Sequence, residues 1–196
     1  MSNEITVKLK CSVSEIDTIL RNKGFKIIGR FFLDDTYFTQ IESEKLNTLT
    51  SREILGKCVL IRNITEYQPH PYKVIKMTYK KKNIAENGEI ISQQNINCEI
   101  KSVEEGKSFL EAIGYRELMN IKEKNTIYRN DELELSVKDI ENGDKLIEIE
   151  IEQNDSNLNT TQKIKDLVKK IELPIEEENY FVKKTEIELN KIIRKD

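Results

Sequence analysis

Tryptophan is absent from the chain, histidine occurs once, proline three times and cysteine three times in 196 residues. The single His70 stands between Pro69 and Pro71, where histidine reads as a solvated loop residue. Ser-His-Asp triads and Cys/His zinc sites are thereby excluded, leaving carboxylates, lysines, arginines and a metal for any chemistry. Cys11, Cys58 and Cys98 are scattered and odd in number, which predicts reduced core thiols in a cytosolic chain and no disulfide framework. Met1-Ser2-Asn3-Glu4 has neither a basic start nor an apolar core, so no signal peptide is expected. No apolar run reaches membrane length. A cytoplasmic protein with no membrane partner is expected. Charge of one sign is also lacking. The net charge is −3 although 34% of residues are charged, and acidic and basic residues are interspersed. No nucleic-acid partner is expected from such a distribution.

Alternation is abundant. Ile5, Val7, Leu9 and Cys11 alternate with Glu4, Thr6, Lys8 and Lys10, as in a strand with one apolar face. Ser12 and Glu15 have capping-box spacing, Ile16, Ile19 and Leu20 form a helical stripe, and Gly24 supplies a stop. The same grammar returns with Ile96, Cys98 and Ile100 in a strand, Ser102 and Glu105 at a cap, Phe109, Leu110 and Ile113 in a stripe, and Gly114 at the stop. Each glycine precedes an aromatic residue, Phe25 or Tyr115. The matched order favours two similar halves over coincidence. Further strands are expected near 26–33, 36–40, 57–63, 72–81, 89–96, 117–129, 132–137 and 145–153, with turns at Gly88 and Asn142-Gly143. Residues 43–53 read as a polar loop or short helix. Two helices close the chain, one on Ile164, Leu167, Val168 and Ile171, ended by Pro174, and one over about 180–193. No linker interrupts this order, so residues 1–196 read as one domain.

Several strands carry charge along a whole face. Glu148, Glu150 and Glu152 alternate with Ile147, Ile149 and Ile151; Lys76, Thr78 and Lys80 alternate with Met77 and Tyr79; Lys122 and Lys124 share a face. A sheet can turn such a face to water. A barrel with a polar lumen is the alternative.

The order of short motifs resembles the CYTH family of class IV adenylate cyclases and thiamine triphosphatases. Glu4-Ile5-Thr6-Val7-Lys8 resembles its Glu-x-Glu-x-Lys opening. Asp35-Thr36-Tyr37-Phe38, Val59-Leu60-Ile61-Arg62, Met77-Thr78-Tyr79-Lys80, Ile147-Glu148-Ile149-Glu150 and Asn179-Tyr180 follow in the family's order. The resemblance spans most of the chain. It implies an α+β fold: a closed antiparallel β-barrel, or triphosphate tunnel, with flanking helices, built from two similar halves. It also implies a small-molecule polyphosphate or nucleotide ligand and Mg²⁺ or Mn²⁺ as cofactor. Carried over by position, Lys8 is the catalytic lysine, Arg62, Lys80, Lys122 and Lys124 hold phosphates, and Glu4, Glu148 and Glu150 hold metal. Lys183 or Lys184 would close the tunnel end. Lysine and arginine suit phosphate oxygens, and Mg²⁺ shares carboxylate and phosphate oxygens.

The sequence departs from the family at the metal side. Thr6 replaces the second Glu of the opening motif, and Leu60 an expected Arg. Gln93, Gln94, Asn95 and Asn97 replace an Arg and following glutamates. Lys138 replaces an Asp, with Asp139 beside it on the opposite parity unless a bulge intervenes. Glu152, one step beyond the usual pair, is a substitute carboxylate. Two readings therefore stand together. One is a metal-dependent triphosphatase or adenylate cyclase-like enzyme; the other is a lapsed CYTH barrel that only binds a phosphorylated or other anionic ligand. A structural barrel with merely solvated charges is the third.

Overall fold

A computed structural model of the chain describes residues 3–84, 90–151, 161–180 and 182–193. The elements in order are β1 Asn3–Lys8, α1 Val13–Asn22, β2 Lys26–Thr39, α2 Ser43–Leu46, α3 Ser51–Leu55, β3 Val59–Gln68, β4 Tyr72–Ile84, β5 Ile90–Glu99, α4 Val103–Ala112, β6 Arg116–Arg129, β7 Glu134–Ile140, β8 Lys145–Ile151, α5 Thr161–Lys170 and α6 Lys184–Ile193. The class is α+β, as expected. The strands form one eight-stranded sheet in the order β1-β8-β7-β6-β2-β3-β4-β5. The described ladders β1–β8, β7–β8, β6–β7 and β4–β5 are antiparallel. The chain divides into two compact units: Met1–Phe32 with Glu66–Pro71 and Glu123–Lys183, and Leu33–Thr65 with Tyr72–Lys122 and Lys184–Asp196.

The two similar halves are visible in local geometry. Ser12 caps α1 with a full capping box, its side chain accepting from the Glu15 N–H while Glu15 accepts from the Ser12 N–H. Ser102 caps α4 by accepting from the Glu105 N–H. Gly24 (φ 80°) and Gly114 (φ 86°) end the helices in the left-handed conformation that glycine adopts without a Cβ penalty. Phe25 N–H then bonds Leu20 O at 3.0 Å, and Tyr115 N–H bonds Leu110 O at 2.9 Å. A 14-residue strand follows each. The two strands expected at 26–33 and 36–40 are thus one continuous β2.

In the first unit, Ile5, Val7 and Leu9 of the N-terminal stretch, Ile16 and Leu20 of α1, Tyr128, Leu135 and Val137, and Ile147 and Ile149 form a core closed by Val168, Leu173, Ile175 and Tyr180. Burial of side chains of this size contributes about 1.5–3 kcal/mol each. Tyr128, 2% exposed, donates its hydroxyl to Asp17 Oδ1 at 2.7 Å. Arg21 donates to the other oxygen of the same carboxylate at 2.8 Å. The Asp17 carboxyl is held below the usual range, first by Arg21 and then by Tyr128. Burial, reinforced by Asp17, pushes the Tyr128 phenol well up.

The outer edge of β1 is not left open. Tyr180 O accepts from Thr6 N–H at 3.2 Å, and Val182 N–H donates to Thr6 O at 3.0 Å. Glu176 N–H donates to Lys8 O at 2.9 Å, and Lys10 N–H to Pro174 O at 2.7 Å. Leu9 and Ile175 form an antiparallel bridge. These bonds correct the expectation of a helix from residue 180: α6 begins at Lys184, after the backbone groups of Tyr180 and Val182 that bond Thr6. The sheet is open in strand order, and a ladder between β1 and β5 is not among the described pairings.

In the second unit, Phe38, Ile61 and Leu110 form a core with Val59, Ile75, Met77, Ile100, Val103 and Tyr115. Residues 43–53 take the short-helix alternative, holding α2 and the start of α3. Thr50 caps α3 through a full box with Glu53. Ser51 donates to Asn190 Oδ1 at 2.6 Å and Arg52 to Glu186 Oε1 at 3.1 Å, which ties α3 to α6.

His70 is exposed, as the sequence predicts. The three cysteines are unpaired, but only Cys58 is buried; Cys98 lies exposed on the edge strand β5. Among the described residues no helix is long and apolar enough to cross a membrane. Gly88 and Glu152 lie outside the described residues.

Candidate functional site

Strand parity separates each unit's apolar core from a polar face. In the first unit Ile147 and Ile149 enter the core, so Glu148 between them points the other way. The registers pair Thr6 with Glu148, Ser136 with Glu148, Asn125 with Lys138, and Ile127 with Ser136. Thr6, Glu148, Ser136, Lys138, Asn125 and Glu123 therefore share one face. Lys138 donates its ammonium to Glu148 Oε2 at 2.6 Å, with the two side chains 15% and 22% exposed. Glu123 and Asn125 are each 1% exposed, and the Asn125 amide donates to Glu123 Oε1 at 3.2 Å. Asn125 Oδ1 and Ser136 Oγ are buried without a hydrogen-bond partner, an arrangement that costs about 1–3 kcal/mol per group. Lys8, on the same parity as Thr6, forms an ion pair with Asp144 at 2.9 Å.

Asp139 follows the opposite parity without a bulge. It pairs in register with Lys124 and Lys145 and forms an ion pair with Lys145, so it does not stand in for an acidic residue at position 138. Lys124 is exposed and shares the Asp139 side. The structure does not bring it to the Glu148 face. Glu4 and Glu150 are directly opposed in the β1–β8 register, but their side chains lie outside the described residues.

In the second unit Phe38 and Ile61 are core, which sends Asp35 and Arg62 to the other side. Arg62 grips Asp35 with two parallel bonds, Nε to Oδ1 at 2.8 Å and Nη2 to Oδ2 at 2.6 Å. Asp35 is fully buried (0%). This bidentate geometry fixes the plane of the guanidinium. Thr78, 5% exposed, donates to Asn97 Oδ1 at 2.8 Å. Lys80, two residues along β4 and opposite Asn95 in register, is half-buried. Lys122 is two residues from Asn120, whose amide bonds the side chains of Asp34 and Thr36. It therefore lies on the face turned away from Arg62, since Asp34 and Thr36 flank Asp35 on opposite parity. Lys183 is exposed and Lys184 half-buried at the start of α6.

Sequence reasoning missed Glu123, Asn125, Ser136 and the partnership of Asp35 with Arg62. The signal for the first two was the parity of Met119, Ile121, Glu123, Asn125 and Ile127. Apolar residues at both ends of that series disguise it as core. Lys122 and Lys124 occupy the other parity.

Comparison with solved structures adds the fold's relatives. The PH1819 protein of Pyrococcus horikoshii OT3 is 18% identical, with a TM-score of 0.60 over 97% of this chain and 99% of its own. A conserved hypothetical protein of Pyrococcus furiosus is 19% identical, with a TM-score of 0.57 over 89% and 95%. A candidate adenylate cyclase of Vibrio parahaemolyticus is 13% identical, with a TM-score of 0.52 over 91% and 94%. The fold is CYTH-like. No protein-family model matches the sequence, and no curated protein matches it.

A CYTH-like fold raises the question of a divalent metal at Glu148. Such an ion needs converging oxygens. A divalent ion on the same carboxylate would sit roughly 4 Å from the Lys138 ammonium, a repulsion on the order of 8 kcal/mol at an effective dielectric of about 20. The ion would have to displace the lysine. Among the described residues no three Asp, Glu, His or Cys side chains are grouped to hold a metal. Glu148 with Lys138 on it therefore does not by itself make a divalent-ion site.

Proposed function

We propose that the protein binds a triphosphate or nucleoside triphosphate through the cations on the polar faces of its sheet, without a catalytic step that depends on Glu148 holding metal. The observation that carries this reading is the burial of those faces. Asp35, Thr6, Thr78, Glu123 and Asn125 are 5% exposed or less, and the side chains of Lys138, Glu148 and Arg62 are mostly covered. A face that only met water would leave its charges exposed. Burying polar groups costs free energy that an apolar wall would avoid, and a charged ligand gives that cost a purpose. In the first unit this reading uses Lys8 and Lys138, with Lys124 turned away by parity, and in the second unit Arg62 and Lys80, with Lys122 turned away. The closed tunnel belongs to this proposal and not to the described pairings. The CYTH-like fold supports the ligand class.

The test is calorimetric titration of the protein with inorganic triphosphate and with ATP, in EDTA and in Mg²⁺, with released phosphate, pyrophosphate and cyclic AMP assayed in parallel. Binding without product formation is expected. No heat with either triphosphate under either condition would sink the proposal, and sustained product release in Mg²⁺ would replace it with the enzymatic reading.

A further inference from the structure

We infer that Lys138 is a built-in counter-cation: its ammonium holds the place beside Glu148 that a divalent ion would take, so the phosphate ligand of this face is bound without metal. The inference rests on the proposed ligand class and concerns what neutralises the ligand's charge.

Three observations lead to it. First, the ion pair is short and partly buried, 2.6 Å between Lys138 Nζ and Glu148 Oε2, with 15% and 22% of the side chains exposed. A long lysine on a solvated surface seldom stays in one place; here the β7–β8 register, with Ser136 opposite Glu148 and Lys138 opposite Leu146, sets both side chains diagonally on one face. Second, Glu123, a described acidic residue of that face, is already engaged by the Asn125 amide at 3.2 Å. Third, Asp139, which could have supplied a second carboxylate, is directed to the opposite side and paired with Lys145. The face is thus arranged around a cation that the chain itself provides. An ammonium donates three hydrogen bonds. With one on Glu148, the same group can donate to a phosphate oxygen, which is the bridge between carboxylate and phosphate that a metal otherwise forms. Ser136 Oγ, buried and without a partner, lies directly opposite Glu148 in register. The Ser136 hydroxyl can also donate to a phosphate oxygen.

The experiment has two arms on the full chain. Mn²⁺ is titrated into the protein alone, and free ion is followed by electron paramagnetic resonance. Inorganic triphosphate is titrated calorimetrically in EDTA. The expected results are an undiminished free Mn²⁺ signal and triphosphate binding that survives EDTA. Lys138→Met should lose about tenfold of that affinity, with its fold checked by circular dichroism. Mn²⁺ uptake by the wild type that Glu148→Gln abolishes overturns the inference, whether or not any lysine variant folds. So does triphosphate binding that appears only with Mn²⁺, or an unchanged affinity in folded Lys138→Met. Binding only with Mn²⁺ leaves the proposed ligand class standing, whereas no binding in either condition removes both.

Discussion

Removing Arg62 should destabilise the protein more than removing the acid it holds. Asp35 is fully buried, whereas the Arg62 side chain is 25% exposed. Two charge-assisted bonds, at 2.8 and 2.6 Å, are the described partners of the carboxylate. Arg62→Met deletes both and leaves a buried carboxylate without its counter-charge, a loss of about 3–5 kcal/mol. Asp35→Asn keeps the shape and one acceptor. The guanidinium left behind still reaches water along its exposed quarter, and the cost falls to about 1–3 kcal/mol. The double variant, having no buried charge to strand, should be more stable than Arg62→Met alone. Domains of this size are commonly stable by only 5–15 kcal/mol, so the single arginine variant would use up a large share of that margin. Urea denaturation followed by far-ultraviolet circular dichroism measures all four proteins, and equal slopes would show that the unfolded states are comparable. The reasoning fails if Arg62→Met and Asp35→Asn cost the same, or if the double variant is the least stable of the four. Either result would mean that Asp35 is solvated in practice and that Arg62 is oriented by something else.

Two further outcomes follow from the packing. The Asp17 carboxyl is depressed in the folded state by Arg21 and Tyr128. Its contribution is therefore fully present above the unfolded value of 3.8 and is lost as pH falls through the lower folded value. Tyr128 has the opposite sign: its raised phenol contributes below the ordinary tyrosine value of 10.0, and that contribution is lost as pH rises through the folded value. Tyr128→Phe should cost about 1 kcal/mol near neutral pH. In the wild type, spectroscopic titration should show one of the seven tyrosines ionising only with unfolding; if all seven ionise together in the folded protein, the burial argument is wrong. Gly106→Ala should destabilise by about 1–3 kcal/mol, although alanine is the better helix former. Its Cβ would meet Ile100 Cδ1 at 2.5 Å and Ile61 Cδ1 at 3.0 Å. A thermal midpoint equal to or above that of the wild type would refute this.

Local signals were the easiest to read from sequence. Ser12 with Glu15, Ser102, Gly24 and Gly114 act within a few residues of chain, and their caps and stops appear where the spacing places them. The β8 parity was equally plain, because Ile147 and Ile149 contrast with Glu148. Long-range register was not readable. Which side of β6 faces Glu148 depends on its pairing with β7, and two lysines with helpful charge, Lys122 and Lys124, proved to be on the side away from it. Lys138 stood out in sequence as a cation where an acidic residue was expected. That its ammonium reaches across to Glu148 follows only from the diagonal geometry of two paired strands. The last helix read as starting near residue 180 because the real partner of Tyr180 and Val182, β1, is far away in sequence.

That last pairing bears on how the chain is made. The first unit joins residues 1–32 to 123–183, and both edges of β1 are satisfied by late segments, β8 on one side and the Pro174–Val182 stretch on the other. During synthesis at about 5–20 residues per second, Ile5, Val7 and Leu9 emerge on the order of ten seconds or more before Tyr180 and Val182. Until β8 emerges both edges of β1 are unprotected, and until residues 174–182 follow one edge still is, the kind of segment that recruits strands from other chains. Most of the second unit, residues 33–65 and 72–122, is made in between and can pack meanwhile, whereas the larger part of the first unit, residues 123–183, is still to come. The nascent protein is therefore most vulnerable at its first strand, and a holdase chaperone that shields this strand would raise yield more than one acting on the second unit.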